Sequence, residues 1–289
     1  MIVLRPNRIP RVLSIAGSDS GAGAGIQADL KAFAACRVYG MTAITAITAQ
    51  NTVGVTAVHP IPPEVIVAQV KAVADDIGVD AVKIGMLGDR PTIEAVARAL
   101  NELPEDTPVV LDPVMVAESG AVLLDPHARS ALTKLLLPRA TVLTPNVPEA
   151  RTLMGDGAED LAAPALARGV HALGPRAVVV TGGHREPLAD VFFDGRRLVE
   201  LHGERHPDGA AHGSGCTHSS VLAARLAWGD DPVQAARAAR ELASRAVAQG
   251  LRELGAGPGP VDILGIGCKP DDRVVFTPSQ SPGADSRLA

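Results

Sequence analysis

Short apolar runs alternate along this chain with segments whose apolar residues recur at helical spacing, which predicts strand–helix units over most of its length. An apolar run at residues 12–16, closed by Gly17, predicts a buried strand. The Gly/Ala/Ser stretch 18–25 predicts a loop, and residues 26–35, with Ile26, Leu30 and Phe33 on one side, a helix. The β-branched run 41–48 predicts a second strand, followed by a loop at 50–54. Further strands are expected at 80–84, 109–111, 141–143 and 177–180. Helices are expected at 64–76, where Pro63 suits a first turn, and at 89–101, 126–137, 148–154 and 163–173. Residues 190–194 and 197–201 flank Gly195-Arg196 and predict a β-hairpin, and two Ala-rich helices follow at 215–228 and 232–251. The pattern implies an α/β fold with a mostly parallel central sheet, helices on both faces and a late hairpin. With no internal repeat and no linker mid-chain, residues 11–266 read as one domain, 1–10 as an N-terminal extension and 267–289 as a disordered tail.

Composition sharpens this picture. Of the 289 residues 46% are apolar but only 2% aromatic, so the core must be built from Ala, Val, Leu and Ile. A net charge of −5 gives no electrostatic reason to expect nucleic acid or an anionic membrane as a partner. The three cysteines, Cys36, Cys216 and Cys268, form neither a disulfide framework nor a zinc pattern, which suits a reducing cytoplasm. No run approaches the roughly 18 apolar residues of a membrane span, and residues 1–10 do not read as a signal peptide.

In parallel α/β sheets ligands bind outside the carboxyl ends of the strands, and polar and glycine residues concentrate in the loops expected there. The stretch Ala211-His212-Gly213-Ser214-Gly215-Cys216-Thr217 runs into a helical segment, so Gly213, Ser214, Gly215 and Cys216 should form a helix N-terminus. There the amides lack intrahelical acceptors and the dipole is positive, so the turn can cradle an anion and should lower the pKa of Cys216. A glycine-rich cap with an inert cysteine is the alternative. The loop from Gly17 to Gly25 is neither a P-loop nor G-x-G-x-x-G. Asp29, just beyond it on a helix, either faces solvent or reaches a ligand hydroxyl. Gln50 offers a carboxamide able to read an amino-substituted nitrogen heterocycle, and Met86 can wall a small pocket. Asp112 and Glu149 follow strands and can hold magnesium, or else cap helices, as Asn146 can. Thr181-Gly182-Gly183-His184 is either a phosphate contact or a turn.

GSDSGAGAGIQADLKAF, ITAQNTVGV, VKIGMLGD, DPVM, TPNVPEA, TGGH and HGSGCTHSS, taken together in this order and spacing, resemble the hydroxymethylpyrimidine/phosphomethylpyrimidine kinases of thiamine biosynthesis, which have the ribokinase-like fold. The resemblance covers residues 11–265. It implies ATP and Mg2+ as cofactors, and transfer of phosphate to an aminopyrimidine and then to its monophosphate. It also implies that Gln50 pairs with the ring, that Asp29 holds the hydroxymethyl region beside the Gly17 backbone, and that Ala24, Met86 and Val114 line the ring pocket. Gly213 to Cys216 would be the anion hole, with Cys216 where related sugar kinases carry an Asp base. Asn146 and Glu149 match an Asn-x-x-Glu magnesium-region motif, and the segment from Gly257 to Val261 resembles a glycine-rich stretch near the adenine pocket. Glu118 and Thr181 stand where many members have lysine. A homodimer is the expected assembly. A pyridoxal or pyridoxine kinase is the alternative enzyme, and a non-catalytic pyrimidine sensor the alternative of another class.

Overall fold

A computed structural model describes residues 8–117, 120–182, 189–207 and 209–268. The first strand, β1 (Arg11–Asp19), is buried almost throughout because it is hydrogen-bonded in parallel on both sides. Helix α1 (Gly25–Ala35) leads to β2 (Tyr39–Gln50), which turns back into an antiparallel partner, β3 (Val55–Pro60). Then follow α2 (Pro63–Asp76), β4 (Ala81–Ile84), α3 (Arg90–Ala99) and β5 (Val109–Leu111). Residues 126–139 wind irregularly through a 3-10 turn, α4 (Arg129–Ala131), a π-turn and a second 3-10 turn that contains Pro138. Next come β6 (Val142–Leu143), α5 (Val147–Met154), α6 (Ala163–His171) and β7 (Val178–Val180). The antiparallel hairpin β8 (Ala189–Phe193) and β9 (Leu198–His202) precedes α7 (Ser214–Ala227) and α8 (Pro232–Ala248).

Among the described residues nine strands form one sheet, ordered β3-β2-β1-β4-β5-β6-β7-β8-β9. Its chain order reverses between β1 and β4, the switch point where the loops diverge and leave a crevice. Alternate residues feed two cores. Leu13, Ile15, Ile84, Leu111 and Leu143 meet one set of helices. Val12, Ala81, Val110 and Val142 meet Phe33, Leu222, Ala223 and Ala235 on the other. Alanines on α7 and α8 let these helices lie close to the sheet and to each other, which compensates for the scarcity of aromatics. Among the described residues no helix is long and apolar enough to cross a membrane.

Two boundaries near the carboxyl edge differ from those expected, one strand is new, and the helix expected at 126–137 is broken into short turns. β1 continues through Gly17 and Ser18 to Asp19 after a bulge, because the parallel pairing with β2 extends that far. Gln50 is the last residue of β2 rather than part of a loop. The strand β3 was not anticipated: its side chains are almost all exposed, so Val55–Pro60 carries little apolar alternation.

Candidate active site

Two helix N-termini converge at the carboxyl edge of the sheet. α7 begins after Gly213, whose φ of +80° is the left-handed conformation that glycine tolerates, and a Cβ there would overlap the Gly23 carbonyl oxygen. α1 begins at Gly25, whose backbone N–H donates toward the Cys216 sulfur. Cys216 therefore lies where the positive ends of both helix dipoles meet. Gly215, on the same turn, is exposed and lies about 4.0 Å from Asp112 Oδ2, measured from where a Cβ would stand. Ser214 is half-buried, its N–H bonded to the Ala211 carbonyl at 2.9 Å.

The expected fall in the Cys216 pKa does not occur. Burial pushes the thiol up to about 12; Lys83 opposes this, Asp29 and Asp112 add to it, and the Gly25 N–H opposes it weakly. Desolvation of the thiolate outweighs the helix termini.

Of the two alternatives for Asp29, facing solvent is excluded. It is fully buried, and its carboxylate accepts from Ser14 Oγ at 2.6 Å, Ser220 Oγ at 2.7 Å and Lys83 Nζ at 2.8 Å. Lys83, which sequence reasoning passed over as part of a strand, is equally buried. Although burial works against its charge, Asp29, Cys216 and Asp112 hold its pKa above the ordinary value. A lysine inside a strand that is otherwise buried and apolar was the signal available in the sequence.

Asp112 and Glu149 are brought together. Burial first and the Asp112 charge second raise the Glu149 pKa to about 8, against the N–H groups of Asn146 and Met115. Asp112 is shifted upward by burial, with Lys83 and the Ser219 hydroxyl opposing; that hydroxyl lies 2.9 Å from Asp112 Oδ2. Asn146 caps α5 in a reciprocal capping box with Glu149, so the capping alternative is realised for both residues. Glu149 Oε1 nevertheless also receives the Met115 N–H at 3.3 Å. Two crowded carboxylates at the edge that faces the cradle suit a divalent cation, which would neutralise their repulsion. Among the described residues no group of three His, Cys, Asp or Glu side chains could hold a metal.

On the other flank, Gln50 lies in a small cleft with Asn51, Thr52, Ala117, His212 and Pro258. Its backbone is pinned by Ser20, and its Oε1 accepts from Thr48 Oγ1 at 3.2 Å. Asp19 receives N–H groups from Gly21, Gly23 and Ala24 and lies 3.6 Å from His212 Nε2, so it joins the loop before α1 to the approach to α7. Gly17 leaves room for the Met86 thioether, since a Cβ there would stand 2.8 Å from Met86 Cε. Val114 and Ala24 are half-buried nearby in sequence to Asp112 and Gly25 respectively.

Thr181 pairs with Asn146 in a parallel bridge. Gly183, His184 and Glu118 lie outside the described residues. Gly257 is not brought to Thr181. Its N–H donates to Thr52 Oγ1 at 3.2 Å, at the β2–β3 hairpin. β2, whose end adjoins this hairpin, and β7 are five strand positions apart in the sheet, about 24 Å at the usual spacing.

A mostly parallel sheet with a switch point, two convergent helix N-termini and paired carboxylates fit the ribokinase-like phosphotransferase class that the motifs resemble. Comparison with known proteins narrows the class. The family model for phosphomethylpyrimidine kinase matches residues 19–262, and the chain belongs to that family. A hydroxymethylpyrimidine/phosphomethylpyrimidine kinase of Rhizobium meliloti (strain 1021) is 49% identical over 260 residues, which is 86% of this chain and 95% of that protein. Among solved structures, an ADP complex of Bacillus subtilis pyridoxal kinase superposes with a TM-score of 0.79 at 40% identity, covering 88% of this chain and 97% of the other. The phosphomethylpyrimidine kinase of Clostridium difficile 630 has a TM-score of 0.70 at 38% identity, covering 80% and 96%.

Proposed function

We propose that this protein transfers the γ-phosphoryl group of ATP to the hydroxymethyl group of 4-amino-5-hydroxymethyl-2-methylpyrimidine, and then to the resulting monophosphate, in thiamine biosynthesis. The observation that carries this reading is the meeting of the α1 and α7 N-termini at Cys216, with Gln50 on the neighbouring flank. Gln50 reads the ring amine and nitrogen, while the Gly17 backbone, Ala24, Met86 and Val114 shape the pocket. The amides of Gly213, Ser214, Gly215 and Cys216 stabilise charge on the equatorial oxygens as the phosphoryl group passes to the hydroxyl. Asp112 and Glu149 would hold magnesium, which supplies charge neutralisation at these carboxylates and at the phosphates. With those charges balanced, Lys83 and the Gly25 N–H remain beside Cys216, and both favour a thiolate able to take the hydroxyl proton. Asp29 supports the site from behind by fixing Lys83 and Ser220. Asn146 and Thr181 border the nucleotide.

The likeness to pyridoxal kinases favours a second reading, a pyridoxal kinase acting at the same site. ATP turnover measured in parallel with the hydroxymethylpyrimidine and with pyridoxal separates the two. Turnover of the pyrimidine at higher kcat/KM is expected; a preference for pyridoxal overturns the primary reading, and turnover of neither would favour the sensor. The exposed apolar side chains Ile47, Val53 and Val58 around the β2–β3 hairpin offer a face on which a homodimer would close. A sedimentation mass of two chains is the expected result. The free state of all three cysteines supports a cytoplasmic location.

A further inference from the structure

On the flank of α7 opposite Cys216, charged and titratable side chains from three elements meet in the interior. Asp190 of β8 and His218 of α7 are 1% and 5% exposed, and Arg240 of α8 reaches in beside them. Asp190 Oδ1 accepts the Gly182 N–H at 2.9 Å and lies 3.6 Å from Arg240 Nη1. Its Oδ2 lies 3.7 Å from His218 Nε2. Burial holds the His218 pKa below its ordinary value, against the Asp190 charge, so the ring is neutral near pH 7 and the charge pair is Asp190 with Arg240.

This cluster is poorly satisfied. Asp190 Oδ2, both His218 ring nitrogens, Thr217 Oγ1 and Arg240 Nε and Nη2 have no hydrogen-bond partner among the described residues. Buried polar groups without partners are costly, and well-packed apolar side chains of similar volume commonly give equal or greater stability. Stability therefore does not account for the cluster, whereas its placement does suggest a role. Gly182 directly follows Thr181, which is bridged to Asn146, and a Cβ on Gly182 would overlap the Ala189 carbonyl oxygen. His218 is on the helix that presents Cys216. The directional contact Asp190 does make is with the backbone: the Gly182 N–H it accepts fixes that residue relative to β8.

We propose that Asp190 is a positioning residue for the nucleotide, holding Gly182, just beyond β7, through the N–H it accepts, with Arg240 of α8 as its charge partner. This rests on the reading that ATP lies along the edge from Thr181 to the start of α7. It also gives a role to a carboxylate that the mechanism above does not use.

The test measures KM for ATP, KM for the hydroxymethylpyrimidine, kcat and melting temperature on the full chain. Asp190→Asn leaves Arg240 without its anion, so the melting temperature falls. The KM for ATP should rise about tenfold, the scale of one lost charge-assisted hydrogen bond, while the pyrimidine KM stays within about twofold. The double variant Asp190→Asn/Arg240→Met removes both charges and should regain melting temperature while keeping the raised KM for ATP. A return of the ATP KM together with stability overturns the proposal and leaves the cluster with a packing role. A rise confined to the pyrimidine KM overturns the nucleotide-edge reading itself, so the two failures are distinguishable.

Discussion

Cys216 shows how strongly surroundings govern a single group. Helix N-termini favour a thiolate, yet burial dominates and the thiol is pushed up to about 12. In the ligand-free protein, alkylation of Cys216 by iodoacetamide, followed site by site by mass spectrometry, should stay slow through pH 9; rapid labelling at pH 7 would place its pKa elsewhere. Cys216→Ala should lower kcat by about 10²- to 10⁴-fold, the range of general acid–base catalysis, with ATP affinity near wild type because the cradle is backbone. Cys216→Asp should recover part of the rate. Full activity in Cys216→Ala would remove the thiol from the mechanism. For Glu149, burial first and Asp112 second raise the pKa from 4.5 to about 8. The folded protein then holds a proton that the unfolded chain has released, so between pH 4.5 and 8 this group makes stability fall as pH rises. Glu149→Gln should abolish that part of the decline, becoming more stable than wild type toward pH 8, and should raise the magnesium concentration needed for half-maximal rate. Parallel melting curves and magnesium titrations from pH 5 to 8 check both; an unchanged magnesium requirement would leave Glu149 as a helix cap alone.

Among the elements, the start of α7 depends on one backbone conformation. Gly213→Ala would strain a φ of +80° and drive a methyl group into the Gly23 carbonyl, which belongs to the loop before α1. It should cost about 1–3 kcal/mol of stability and at least tenfold in kcat, because both helix N-termini shift. Gly155→Ala is the control: its φ is +77°, but nothing lies within 4 Å of an added Cβ, so a smaller loss of stability with unchanged kcat is expected. Equal kinetic effects in the two variants would mean that the contact between α7 and the Gly23 loop does not organise the cradle.

Across the whole molecule, the pair Lys83–Asp29 joins β4 to α1 and, through Ser14 and Ser220, to β1 and α7. Both side chains are 0% exposed, so removing one partner leaves a charge buried. Lys83→Met should therefore lower stability by about 3–5 kcal/mol. That corresponds to a melting temperature lower by on the order of 10 °C for a chain of this size. Lys83→Met/Asp29→Leu should regain much of that stability without regaining activity. A double variant as unstable as the single one would show that packing, rather than charge, makes the site sensitive.

Local pattern determined the strand–helix order, the late hairpin β8–β9 and the glycine turn at Gly213, because period-two and period-3.6 apolar repeats and turn chemistry are written into neighbouring residues. The family motifs likewise pointed to the residues at the carboxyl edge. Solvation and long-range partnership were decided only by the tertiary structure. Asp29 lies on a helix that could equally have faced water; its burial follows from the placement of Lys83, 54 positions along the chain, and Ser220, 191 positions along, on the same side of the sheet. The Cys216 pKa turns on how much water α1 and α7 exclude together, and Gly257 reaches Thr52 because of where the last helix leaves the sheet. The strand β3 pairs through its backbone while its side chains stay exposed, so side-chain periodicity carried no record of it.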